Sequence, residues 1–331
     1  MTQPIPSDSR APSPGQAPKR GDHPYRAFVI RAGLGIAIAV FLLYHFGARA
    51  IFQAIGRERP AYFITAVIIY TLGQLIPAWR WQMLAAIVKV HGAFTEFASY
   101  VYIAMFTNLF VPGLLGGDAA RSIYLGRRHS RMGEAVASVV ADRALGLIVL
   151  FWLAAFAAIF LNFAALPPAV THPVIAVGAA AMAGYLASPL VARLIHLMPG
   201  PIRRAGGIVA PYLHHPLELI GPIGLSLLLQ VELAFCQFVL ARGLGLPFGL
   251  SLFVLCVPIS NVFTSLPLTL GGIGVREAAN VALFGMAGMR KDDAIALGLL
   301  WDAALMLGGL AGAIAFVTTP SPGSTGHPGK E

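Results

Sequence analysis

The sequence has few charged residues. Asp, Glu, Lys and Arg make up 11% of its 331 residues, against about 25% in an ordinary soluble domain. Hydrophobic residues make up 57%, and the mean hydropathy is +0.75. This composition excludes an ordinary soluble enzyme or binding domain, because lipid must be the solvent for most of the chain.

Cysteine is also scarce. The two cysteines, Cys236 and Cys256, lie in apolar runs without the spacing of a metal site or a disulfide framework, so we interpret both as packing residues. His196, His214 and His215 lie in a basic loop that also lacks metal-ligand spacing. We expect no metal and no cofactor. The Walker A, Gly-x-Ser-x-Gly and His-Glu-x-x-His motifs are missing, and nothing resembles an ATP-driven pump.

The formal charge of +9 would indicate nucleic-acid binding in a soluble protein. Here most basic residues lie at the ends of apolar runs, where they orient a membrane protein and meet anionic headgroups. We therefore expect a membrane lipid, and not a nucleic acid, as the partner.

Apolar runs organise the chain. Residues 1–24 are rich in Pro, Ser, Gly and Gln and are predicted to be a disordered tail, as are residues 319–331. Residues 25–318 are predicted to form one all-α, polytopic bundle of transmembrane helices in the bacterial inner membrane. Eight hydrophobic segments reach or exceed the roughly 20 residues that a spanning helix needs: 27–47, 61–79, 97–115, 135–165, 173–192, 218–241, 247–273 and 293–317.

One motif occurs twice. The pattern Pro-x3-Gly-Gly-x3-Arg appears in an early and a late apolar run, and four aligned positions favour an internal repeat over a chance match between Gly-rich and Pro-rich segments. The two copies consist of Pro112, Gly116, Gly117 and Arg121, and of Pro267, Gly271, Gly272 and Arg276.

The basic residues favour re-entrant segments at these motifs. The basic N-terminal tail and Arg127-Arg128 lie on the same, cytoplasmic side only if segment 97–117 re-enters the membrane instead of crossing it. If 258–273 re-enters too, the copies enter from opposite faces. Inverted repeats with broken helices of this kind are typical of transporters.

Charged residues inside apolar runs are functional candidates by default. Arg121 and Arg276 are predicted to hold a phosphate, since the guanidinium fork binds its oxygens bidentately. The Gly-Gly pairs would let backbone approach this ligand and would offer amides at a helix start. The carboxylates would set the geometry, and Asp118 shares a helix face with Arg121. The further candidates are Asp142, Arg143 and Glu277.

Several charged residues in the apolar runs have other interpretations. Asp142-Arg143 and Arg276-Glu277 also fit structural ion pairs at membrane boundaries. Glu232 and Asp302 are candidates for a proton relay, or carboxylates that face a neighbouring helix. Arg80, between Trp79 and Trp81, is interpreted as an arginine that reaches towards the interface within an aromatic belt.

A family resemblance rests on four stretches: Arg80-Trp81, Asn108 to Arg121, Asp142-Arg143, and Gly271 to Glu277. Together they resemble the membrane region of lysylphosphatidylglycerol synthases, a family of flippase-like integral membrane proteins, over about residues 25–318. Many members have Glu where this chain has Asp142. The resemblance adds Asn108 to the ligand-binding candidates.

The resemblance implies movement of a lipid between leaflets. Fused members carry a soluble aminoacyl-transferase domain after this region, whereas this chain stops at Glu331, so we do not expect synthase activity or an enzyme. We predict a flippase or transporter of a phosphate-bearing lipid, with a lipid-modifying enzyme as a possible partner. The alternatives are an intramembrane enzyme or accessory subunit acting on a polyprenyl-phosphate or glycolipid, and a proton-coupled small-solute transporter.

Overall fold

The structure is a computed structural model that describes residues 56, 59–109, 115–160, 167–194, 199–200, 207, 210–265 and 275–320. These residues form α-helices, one 3-10 turn (Pro216–Leu219) and no strand. The helices are α1 (Pro60–Gly73), α2 (Leu75–Ile87), α3 (Phe94–Asn108), α4 (Leu115–His129), α5 (Met132–Phe160), α6 (Pro168–Leu186), α7 (Ser188–Leu194), α8 (Ile220–Gly243), α9 (Leu250–Ser265), α10 (Val275–Met286) and α11 (Lys291–Thr318).

Five stretches are long and apolar enough to cross a membrane. The first joins α1 to α2 across a turn at Gln74, and the fourth joins the 3-10 turn to α8. Three begin with proline, which suits a helix start because its missing N–H has no partner there. The five are Pro60–Ile87, Met132–Phe160, Pro168–Leu186, Pro216–Gly243 and Lys291–Thr318.

The predicted eight segments are found only in part. The run 27–47 and most of the predicted tails lie outside the described residues. The runs 97–115 and 247–273 contain the shorter helices α3 and α9, of 15 and 16 residues, each followed by a gap in the description.

Helices α3 and α4 form an antiparallel pair, which we call the N-terminal hairpin. At its open end His129 Nε2 lies 3.1 Å from Glu96 Oε1. At its closed end the backbone N–H of Gly117 donates to Asn108 Oδ1 at 2.8 Å. A 15-residue helix is about 22 Å long, less than the roughly 30 Å of hydrocarbon in a bilayer.

Helices α9 and α10 form a second such pair, the C-terminal hairpin. The rings of Phe253 and Phe284 lie 5.3 Å apart, and Ser260 Oγ donates to Asn280 Oδ1 at 2.8 Å. These contacts pair later residues of α9 with earlier residues of α10, so the two helices are antiparallel.

The hairpins open towards opposite ends of the bundle. The span α1–α2 and helix α8 are antiparallel, because the backbone N–H of Arg59 donates to Gly243 O at 3.3 Å and Tyr212 Oη donates to Leu84 O at 3.2 Å. The N-terminal hairpin follows Ile87, whereas the C-terminal hairpin follows Gly243. Each hairpin also contacts the other half, since α3 packs on α11 and α9 packs on α5.

The first span shows how one helix separates lipid from core. Large apolar side chains at i, i+4 spacing are exposed along one face, as expected for contact with lipid. On the opposite face Trp81 is fully buried, and its ring packs edge-on against Phe97 at 4.8 Å. The exposed members of the stripe are Ile64, Ile68, Leu72, Leu75 and Trp79.

Candidate functional site

A chain of charged side chains begins in the core at Arg80 of α2. Arg80 Nε donates to Oδ1 of Asp142 on α5 at 2.7 Å, and its Nη1 donates to Ser226 Oγ on α8 at 3.0 Å. The side chains of Arg80 and Asp142 are 8% and 3% exposed. This buried pair therefore connects three long helices.

Arg121 of α4 continues the chain. Its Nη1 donates to Asp142 Oδ2 at 2.9 Å, and its Nη2 lies 2.9 Å from Oδ1 of Asp118, one turn earlier. Its Cζ also lies 5.1 Å from the ring centre of Trp81, within the range of a cation–π interaction. Trp81 is fixed in turn, because its Nε1 donates to Ser138 Oγ at 2.9 Å.

Arg143 of α5 lies at the outer end. It binds Asp118 bidentately, with Nε donating to Oδ2 at 2.6 Å and Nη2 donating to Oδ1 at 2.9 Å. The Arg143 side chain is 43% exposed, whereas that of Asp118 is 14% exposed. Of the three arginines Arg80, Arg121 and Arg143, Arg143 is therefore the one that a molecule from outside the bundle can reach.

We call these five residues the arginine cluster. Among the described side chains, the cluster contains three guanidinium groups and two carboxylates, so it carries a net positive charge. Buried excess charge is costly unless an ion balances it. The cluster therefore favours an anion at its accessible end, and a guanidinium fork suits the oxygens of a phosphate or a carboxylate. Its members are Arg80, Arg121, Arg143, Asp118 and Asp142.

The arginine cluster lies well inside the bundle. Asp142 is ten residues from the start of α5 at Met132, and Arg80 is seven residues from the end of α2 at Ile87. At 1.5 Å per residue these positions are about 10–15 Å from the helix ends. Tyr212 packs nearby; burial, and to a smaller extent the charge of Asp142, raises the pKa of its hydroxyl.

Gly117 lies at a close contact between α3 and α4. Its backbone N–H is taken by Asn108 Oδ1, and a Cβ at Gly117 would lie 2.6 Å from Ala104 O. Gly117 thus lets α4 approach α3 closely, and Asn108 bonds to the hairpin backbone. Ligand binding by Gly117 and Asn108 stays a prediction.

The interpretation of Arg80 as an interfacial arginine is wrong. Trp79 is exposed, but Arg80 and Trp81 are buried, and Arg80 makes the buried ion pair with Asp142. Helix α2 continues past Pro77 to Ile87, so Arg80 lies inside a 28-residue span and not at its end. The apolar residues that follow Trp81 are the feature of the sequence that shows this.

Residues 28–312 match the family model described as the lysylphosphatidylglycerol synthase TM region. The match covers most of the 331-residue chain. The chain belongs to the lysylphosphatidylglycerol synthase TM region family. Together with the five long apolar helices, this membership identifies an integral membrane protein and confirms the resemblance seen in the sequence.

This chain is similar to the UPF0104 membrane protein PH1989 of Pyrococcus horikoshii. The two chains are 27% identical over 128 residues, which is 37% of this chain and 38% of the relative. The alignment thus spans less than half the length of the relative, which is named only as a membrane protein.

Only part of the second Pro-x3-Gly-Gly-x3-Arg motif lies within the described residues. Arg276 and Glu277 lie in the first turn of α10, and Asn280 of the same helix is buried. Gly271 and Gly272 lie outside the described residues, as do the side chains of Arg276 and Glu277. Their binding of a ligand stays a prediction, as does that of Gly116 in the first turn of α4.

The two carboxylates predicted for a proton relay lie on different helices. Asp302 is buried in α11. Glu232 lies on α8, six residues beyond the Ser226 that binds Arg80, and its Oε1 accepts a hydrogen bond from Cys236 Sγ at 3.1 Å.

Proposed function

We propose that this protein binds a phosphate-bearing lipid at the arginine cluster and moves its headgroup between the leaflets of the membrane. The observation that carries the proposal is the net positive charge of the cluster within the described residues, together with the exposure of its outer cation, Arg143. A net cation at this depth in a bilayer is expensive without a counter-ion. A lipid anion can supply that counter-ion from either leaflet.

The geometry at Arg143 is compatible with a phosphate. Its Nε and Nη2 both point at the two oxygens of Asp118. A phosphate presents oxygens with matching spacing, so it can replace Asp118 as the bidentate acceptor. Asp118 would keep its contact with the more deeply buried Arg121, and the headgroup would bind without leaving an arginine unpaired.

The arrangement of the helices supports movement across the membrane. The order of elements is a long span, a short hairpin and a long span on both sides of α6. The hairpins open at opposite ends, and each packs on the last helix of the other half. We interpret this as an inverted repeat with two re-entrant hairpins, an architecture in which one half rocks against the other to expose a central site alternately.

Family membership supports the choice of a lipid. The family model is named for the membrane region of enzymes whose product is a modified phosphatidylglycerol, so phosphatidylglycerol is the first lipid to test. We further propose that the protein lies in the inner membrane of a bacterium, with the N-terminus and the end that carries Arg127 and Arg128 on the cytoplasmic side.

Binding of short-chain phosphatidylglycerol to the detergent-solubilised, full-length protein, measured by native mass spectrometry, tests the proposal. Arg143→Gln should lower the affinity at least tenfold, and Arg143→Lys should lower it less, because lysine keeps the charge but lacks the fork. Arg128→Gln is the matched control, since Arg128 is exposed at the end of α4. Equal affinity in wild type and Arg143→Gln would contradict the proposal.

A further inference from the structure

Glu232 occupies a gap in the helix packing near the middle of the bundle. It lies opposite Gly73, and a Cβ at that position would be 2.6 Å from both Cδ and Oε1 of Glu232. Gly73 ends α1 directly before the turn at Gln74. The break in the first span and the missing side chain together leave room for the carboxyl group.

The carboxyl group of Glu232 has little to balance a charge. Its Oε1 accepts from Cys236 Sγ at 3.1 Å. Within the described part of the chain, its Oε2 is buried and accepts no hydrogen bond, and no lysine or arginine lies within ion-pair distance. A carboxylate in that position is costly unless a positive charge elsewhere offsets it.

The arginine cluster is the nearby source of such a charge. Arg80 reaches α8 at Ser226, six residues from Glu232, which is about 9 Å along the helix. Other ionisable groups lie on the helices packed against α8, and several belong to the cluster itself. They are Tyr62 and Tyr70 of α1, Arg80 of α2, Glu134, Asp142 and Arg143 of α5, Glu218 of the 3-10 turn, Cys256 of α9, and Lys291, Asp292, Asp293 and Asp302 of α11.

We propose that Glu232 binds a proton when the arginine cluster binds its lipid anion, so that proton and anion are carried together. This inference rests on the proposed function. With the cluster empty, its excess positive charge offsets the ionised carboxylate of Glu232. A bound phosphate cancels that charge, and Glu232 then takes a proton from solution. Release of the lipid restores the charge, and the proton leaves.

The size of the coupling can be estimated by taking the rise along α8 between Ser226 and Glu232, about 9 Å, as the lower bound of the separation. Two unit charges about 9–15 Å apart, at the effective dielectric constant of about 20 that fits most protein sites, change each other's binding by about tenfold. By reciprocity, the lipid affinity must fall by the same factor when Glu232 loses its proton.

The test uses the full-length protein in weakly buffered detergent solution with a pH-indicator dye. Adding short-chain phosphatidylglycerol should cause proton uptake, and diacylglycerol of the same chain length, which lacks the phosphate, should cause none. The lipid affinity should fall about tenfold between about pH 5 and pH 9 as Glu232 ionises. Glu232→Gln should show no proton uptake and a flat, high affinity across this range. The matched control is Glu218→Gln, whose side chain is 56% exposed and which should behave as wild type.

The outcomes separate the two proposals. If no variant and no wild-type sample binds the lipid at any pH, the proposed function fails. If the lipid binds but proton uptake is missing, persists in Glu232→Gln, or is replaced by a requirement for Na⁺, the proton proposal alone fails. Should Glu232→Gln not fold, infrared spectra of the wild type decide, because adding a dialkyl ether phosphatidylglycerol, which has no carbonyl of its own, must strengthen the C=O band of a protonated carboxyl group.

Discussion

Asp142 is the residue whose loss should harm the fold most, and the structure gives the size of the effect. Its two carboxylate oxygens accept from Arg80 at 2.7 Å and from Arg121 at 2.9 Å. Asp142→Asn keeps the shape but leaves both buried arginines without this counter-charge. Breaking one buried pair costs about 3–5 kcal/mol, and here one carboxylate serves two cations. We therefore expect the free energy of unfolding to fall by about 3–5 kcal/mol.

Unfolding of the purified protein in mixed micelles of rising SDS content, followed by tryptophan fluorescence, measures this loss. The double variant Arg80→Gln/Asp142→Asn should be at least about 1 kcal/mol more stable than Asp142→Asn alone, because it removes one of the stranded charges. Asp292→Asn, in the exposed first turn of α11, is the control and should cost less than about 1 kcal/mol. An Asp142→Asn variant as stable as this control, or a double variant whose losses simply add, would refute the reasoning.

Three further predictions concern Gly117 in the N-terminal hairpin, the hydrogen bond of Trp81 and the membrane topology. Gly117→Val should lower the free energy of unfolding by about 1–3 kcal/mol, since a Cβ there would meet Ala104 O at 2.6 Å. The control is Gly133→Val, which should not lower it, because a Cβ at Gly133 would have nothing within 4 Å. Equal losses in the two variants would contradict the close approach of α4 to α3. Trp81→Phe removes the hydrogen bond to Ser138 and should cost about 0.5–1.5 kcal/mol, whereas the exposed Trp79→Phe should be neutral in the same unfolding assay. In a background without native cysteines, Ser130→Cys and Arg290→Cys should react with an impermeant thiol reagent from opposite sides of the membrane; labelling from the same side would rule out the opposite openings of the hairpins.

Much of the helical architecture could be predicted from the sequence, because apolar runs of sufficient length form helices wherever lipid is the solvent. Gly116 and Gly117 lie within the first turn of α4, so they do not separate it from α3, and Pro112 lies outside the described residues. The spacing of Asp118 and Arg121 correctly put both side chains on one helix face, where they form an ion pair. These features are local, and local spacing determines them.

Which residues come together in the site was harder to predict, because the contacts within it join distant parts of the chain. Arg80 meets Asp142 across 62 positions and Ser226 across 146, and no local pattern marks either partner. The contact of Gly117 with Ala104 also depends on tertiary packing, since the packing of α4 on α3 brings the two residues close. From the sequence alone, a glycine pair that contacts a ligand cannot be distinguished from one that lies between two packed helices.

The most direct test of lipid movement is a flip assay in proteoliposomes. Full-length protein is reconstituted with fluorescent phosphatidylglycerol in both leaflets, and a membrane-impermeant reductant quenches the label that reaches the outer leaflet. Wild-type protein should expose the inner-leaflet label much faster than protein-free vesicles, and Arg143→Gln should slow this while Arg128→Gln does not. If wild-type vesicles lose no more label than protein-free vesicles, or if Arg143→Gln moves the lipid as fast as wild type, transport through the arginine cluster is contradicted.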